Sequence, residues 1–134
     1  MGRWRVFAGA GALLGALGVL AGAFGAHGLR GVLGAAALET WKTAVLYQLV
    51  HAMLLVAVAI WLRFLIVSGH SRSIPLEFAG WLLLVGILLF SGSLYALALG
   101  GPAVLGPVTP LGGVAFVLGW LAVALAAARE ARAP

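Results

Sequence analysis

Residues 6–29 read VFAGAGALLGALGVLAGAFGAHGL, a run of 24 residues without a formal charge between Arg5 and Arg30. A bilayer core is about 30 Å thick, and roughly 20 apolar helical residues span it. This run is therefore long enough to cross. The pattern repeats outward along the chain. Lys42 and Arg63 enclose a second uncharged run. Glu77 and Arg129 enclose a third that is long enough for two crossings. Charge is confined to the gaps, so the 134 residues hold four spans and little else.

Composition agrees with this partition. Hydrophobic residues make up 64% of the chain and charged residues 8%, against about 25% charged in an ordinary soluble domain. The net charge of +5 comes from only eight Lys and Arg, which sit at helix ends and form no basic patch, so nucleic acid is excluded as a partner. With no cysteine, disulfides, thiolate catalysis and Cys-based metal sites are excluded too. The apolar stretch at 6–26 exceeds the about 7–15 residues of a signal-peptide core, so it is expected to be a retained transmembrane helix.

The expected fold class is all-α: an integral membrane four-helix up-down bundle, one domain over 1–134. The helices are predicted at 4–26, 44–66, 77–99 and 110–128. Gly28 would end the first helix as a C′ glycine. A short, weakly amphipathic segment over 28–43 is expected either to lie in the interface or to extend the start of the second helix. The runs show no period-2 alternation, which argues against a β-barrel. Thr109 is a candidate N-cap with Pro110 at the first helical position. With both termini in the cytoplasm, the inner side holds Arg3, Arg5, Arg63, Arg72, Arg129 and Arg132, and the outer side holds Arg30 and Lys42. That asymmetry favours this orientation. Trp4, Trp61 and Trp81 would then mark the inner interface and Trp41 the outer one, and Arg63 would snorkel from the end of its helix.

Two seams of small residues stand out. The first helix carries Gly11, Gly15, Gly18, Gly22 and Gly25, and the fourth carries Gly112, Ala115, Gly119, Ala122 and Ala126. Steps of three and four keep each set on one face. Small residues let helices approach closely in lipid, so helices 1 and 4 are expected to touch along these seams, with a left-handed crossing near about +20°.

Polar side chains collect at one depth. His27 closes the first helix, Tyr47, Gln48 and His51 lie early in the second, Ser91, Ser93 and Tyr95 lie late in the third, and Thr109 opens the fourth. Facing lipid is costly for such groups, so they are expected to turn inward and pair. Two readings stay open. One is a structural hydrogen-bond network, in which Ser91 and Ser93 bond back to their own helix. The other is a ligand pocket lined by Tyr47, Gln48, His51, Ser91 and Tyr95, with His27 and Thr109 at its mouth. No cofactor is expected. His70 belongs to the opposite side, His27 and His51 are too few for structural zinc, and their depths differ by about two helical turns, which disfavours bis-histidine haem. Glu39 and Glu77 lie at opposite interfaces and Glu130 falls in the tail, so no catalytic carboxylate pair forms. No phosphate loop or nucleotide fingerprint is present.

The segment Gly22-Ala23-Phe24-Gly25-Ala26-His27-Gly28-Leu29 resembles a signature of the small YgdD/YwdK-type membrane proteins, which are related to a eukaryotic transmembrane family. The same resemblance runs through Trp41, Thr43-Ala44, Tyr47-Gln48 and His51-Ala52. It continues in Phe90-Ser91-Gly92-Ser93-Leu94-Tyr95, Thr109-Pro110-Leu111-Gly112-Gly113 and Gly119-Trp120. It implies a four-helix protein of the bacterial inner membrane and brings no activity with it. The expectation is therefore a non-enzymatic membrane protein whose partners are membrane lipids, other membrane subunits or a second copy of itself. It would bind a lipid or a hydrophobic molecule such as a quinone, or serve as an accessory subunit of a larger complex. Transport by a homo-oligomer is the alternative, and a haem or quinone redox role a minor one.

Overall fold

In lipid every backbone N–H and C=O must find its partner within the protein, and a helix achieves this inside one segment. The computed structural model describes residues 2–70 and 72–130. Ser71 and Arg132 lie outside the described residues. Four helices are long and apolar enough to cross a membrane: α1 (Arg3–His27), α2 (Ala35–Val67), α3 (Ile74–Ala98) and α4 (Val108–Glu130). They run up and down in chain order.

The second helix starts about two and a half turns earlier than 44, at Ala35. Ala35, Ala36, Ala37, Leu38, Glu39 and Lys42 are good helix formers, and Lys42 Nζ meets Glu39 Oε1 at 2.6 Å across one turn. The interfacial stretch thus shrinks to a tight turn at residues 28–34. Gly28 caps α1 but is right-handed (φ −79°). The left-handed residue of this turn is Gly31 (φ 89°). Both later connections begin with a left-handed glycine, Gly69 and Gly100. Each is followed by an N–H reaching back five residues, His70 to Leu65 and Gly101 to Ala96, as a Schellman end requires. Thr109 is not an N-cap. The helix already begins at Val108 after a short 3₁₀ turn at Ala103–Leu105, and the Thr109 hydroxyl faces Ser93.

The packing partners differ from the expected pair. α1 packs on α2, α4 packs on α3, and α2 and α3 meet in the middle. α1 and α4 flank this central pair and form no seam with each other. Each small-residue face receives the helix next to it in sequence. On α1, a Cβ at Gly11 would meet Val56, at Gly18 Leu49, and at Gly25 the Trp41 ring, at 2.7, 2.7 and 2.6 Å. Gly15 has open space around it. On α4, a Cβ at Gly112 would strike the Phe90 backbone and one at Gly119 the Leu83 side chain. A small face promises a close approach without naming the helix that makes it. Short turns decide that here in favour of hairpin neighbours.

The centre of α3 is a π turn, Ile87–Ser91. Such turns often occur beside functional sites. Phe116 of α4 seats on Gly86 just before it. Toward the end bearing the termini the core is wholly apolar, with Phe7, Leu55, Val58, Leu76 and Leu83 buried. At that end Glu77 pairs with Arg3 and Arg72, and Trp61 Nε1 donates to Glu130 at 2.9 Å. Arg5 and Arg63 both lie over the Trp4 ring, at 5.4 and 5.2 Å, within the range of cation–π attraction.

Candidate functional site

One α-helical turn of α2 sets the geometry. Tyr47 and His51 are four residues apart and share a face, while Gln48 sits about 60° round from His51. The polar level therefore divides into two sides.

On the side facing α1, Gln48 is buried and bonded at both its amide nitrogen and its amide oxygen. Its Nε2 donates to the Leu14 carbonyl at 2.8 Å, and its Oε1 accepts from the Tyr95 hydroxyl at 2.8 Å. Gly18 leaves the room that brings Gln48 up to the α1 backbone. Nearer the short connections, Trp41 Nε1 donates to the Ala21 carbonyl at 2.9 Å, and its ring lies 4.6 Å from that of Tyr95. Three helices are tied together here. Gln48→Leu is expected to lower stability by about 1 kcal/mol, two interhelical bonds at roughly 0.6 each. Reversible unfolding in mixed micelles measures this, and an unchanged midpoint would show that the bonds contribute nothing.

On the opposite side, facing α4, lies a groove of about 770 Å³ open toward the flank of the bundle. Tyr47, Val50 and His51 line it from α2, Phe90 from α3, and Phe116 and Trp120 from α4. His51 is only 5% exposed. Its ring stacks on Phe116 at 3.5 Å with an interplanar angle of 12°. Its Nδ1 lies 2.7 Å from the Tyr47 carbonyl, and Trp120 Nε1 approaches its Nε2 at 3.4 Å. Tyr47 is half-exposed and packs on Phe90 at 4.4 Å.

The eight expected site residues thus do not form one pocket. Tyr47 and His51 line the groove, whereas Gln48 and Tyr95 pair on the other side. Ser93 bonds back to the Phe90 carbonyl and meets Thr109 at 2.6 Å, which ties α3 to α4. Ser91 is buried and its hydroxyl has no hydrogen-bond partner among the described residues. His27 is exposed at the end of α1. Neither His27 nor Thr109 stands at the groove's mouth. Gln48 lies level with Leu14 of α1, well short of His27 at that helix's end, and helix rotation sends the remaining polar groups to different neighbours. The residues that polarity alone does not find are Phe90, Phe116 and Trp120. The i, i+4 spacing of Phe116 and Trp120 on α4 was the available signal. Among the described residues, no three His, Asp or Glu side chains gather as a metal site needs.

A family described as a protein of unknown function (DUF423) matches residues 21–113, from the end of α1 to the groove-lining start of α4. A UPF0382 membrane protein of Staphylococcus epidermidis is 43% identical over 91% of this chain and 94% of its own. One of Staphylococcus saprophyticus is 45% identical over 87% of this chain and 92% of its own. The UPF0382 membrane protein YwdK of Bacillus subtilis is 43% identical over 93% and 98%. No solved structure matches the chain.

Proposed function

This chain belongs to the DUF423 family of multi-pass membrane proteins, and from that premise we propose that it binds a lipophilic molecule, without catalysis, in the groove between α2 and α4. The observation that carries the reading is a buried imidazole set in the aromatic wall of a cavity of about 770 Å³. Ligand sites of about 300–1,000 Å³ are mostly apolar with a few convergent polar groups. A histidine that served packing alone would be replaceable by phenylalanine at no polar cost.

Transport is the weaker reading. From the groove toward the termini the interior is filled by Phe7, Leu55, Val58 and Leu83, and a hydrated solute would lose its water there without replacement. We place both termini in the cytoplasm. Arg3, Arg5, Arg63, Arg72 and Arg129 lie at that end, and Arg30 and Lys42 at the other. The groove then opens in the outer half of the membrane.

Val117 lines the groove and is 60% exposed, so Val117→Phe fills the space without disturbing the core. Native mass spectrometry of protein released from nanodiscs is expected to show a bound apolar molecule on the native chain and its loss from V117F. Identical spectra would overturn the reading.

A further inference from the structure

The hydrogen-bond geometry of His51 narrows the ligand class, an inference that rests on the groove reading above. The Tyr47 carbonyl, 2.7 Å from Nδ1, can only accept. Nδ1 therefore carries the proton, and Nε2 is left as an acceptor with one lone pair in the ring plane. That lone pair is held loosely. Trp120 Nε1 offers its N–H from 3.4 Å, beyond the usual N–H donor distance of about 2.9–3.0 Å. The stacked contact with Phe116 fixes the imidazole plane, whereas Trp120 is 48% exposed on the groove wall and free to shift outward.

We propose that the groove selects a lipophilic molecule bearing a hydroxyl group, an alcohol, phenol or quinol on a long apolar body, whose oxygen enters between Trp120 and His51. There the oxygen accepts from the indole N–H and donates to His51 Nε2. At ordinary hydrogen-bond lengths and a near-tetrahedral angle the two nitrogens stand about 4.7 Å apart, so Trp120 moves by about 1.3 Å from its present 3.4 Å. A carbonyl, ether or ester oxygen can take the first bond but not the second. It would leave Nε2 buried and unpaired, which is costly in an apolar wall. Oxidation or methylation of the ligand's hydroxyl therefore weakens binding.

The probes are a para-nonylphenol and its methyl ether, titrated against the full chain in nanodiscs with native mass spectrometry as readout. The native chain and His51→Phe are compared. H51F keeps a ring on Phe116 and removes the acceptor, and the ratio between chains cancels the probes' different partition into lipid. The expected result is a phenol preference at least about tenfold larger in the native chain than in H51F. The Nε2 nitrogen resonance of labelled His51 should also shift on phenol addition and not on ether addition. Equal preference in both chains, with both probes bound, overturns the hydroxyl assignment and leaves the groove reading standing. Failure of both probes to bind the native chain overturns the groove reading and the assignment with it.

Discussion

Gly112→Ala is expected to destabilise the bundle by about 3 kcal/mol, at the upper end of overpacking costs, although it adds a single methyl group. A Cβ at this position would run into the main chain and Cβ of Phe90 in the π turn of α3. A flexible side chain could rotate away, but backbone held by a helix cannot, so α4 must separate from α3 along its length. The loss would spread to Phe116 on Gly86 and to the Ser93–Thr109 bond. The neighbouring substitution is the control. A Cβ at Gly113 would find its nearest atoms at 3.8 Å, and one at Gly15 finds nothing within 4 Å. Both alanine variants are expected to hold or slightly gain stability, because alanine is the better helix former. Thermal unfolding in detergent, followed by far-UV circular dichroism, compares all three. A G112A chain melting with the native one would mean that α3 and α4 are not in backbone contact.

Phe7→Ala is expected to cost about 3–5 kcal/mol. Phe7 is 0% exposed and reaches from α1 to α3. Its ring lies edge-on to Trp81 at 5.2 Å and covers Gly80, where an added Cβ would collide with it. Truncation leaves a cavity at the junction of α1, α2 and α3, which a rigid bundle closes only in part. The same geometry makes the second position dependent on the first. Gly80→Ala alone is expected to cost about 1–3 kcal/mol by overpacking. Placed in the Phe7→Ala chain it meets an empty space and should cost nothing or restore some stability. Reversible unfolding of the four chains forms the double-mutant cycle. Additive costs would show that the ring does not lie on Gly80.

The helices were legible because span length and lack of charge belong to each segment separately. The early start of α2 was harder to read, since residues 35–43 mix helix formers with the charges Glu39 and Lys42, which suit an interface as well as a helix. The polar residues were legible as groups that turn inward: Gln48, His51, Ser91 and Tyr95 are buried or partly buried. Their grouping was not. Gln48 and His51 are three residues apart, close enough to be taken together, yet that step sends one to the Leu14 carbonyl and the other to the face of Phe116. Glu77 appeared as a lone interfacial carboxylate. Its two arginines come from residues five and seventy-four positions away, and only the first is a local neighbour.

By itself the sequence determined that this is a four-helix membrane protein, roughly where its helices lie and which faces are small. All of these depend on hydrophobicity and helical period, which are properties of one segment in lipid. The tertiary structure alone decided that α1 meets α2 and α4 meets α3, that the polar level splits, and that His51 rather than Gln48 lines the open groove. Those outcomes depend on how each helix is rotated against its neighbours. Close packing of side chains from different segments sets that rotation, and no single segment contains it.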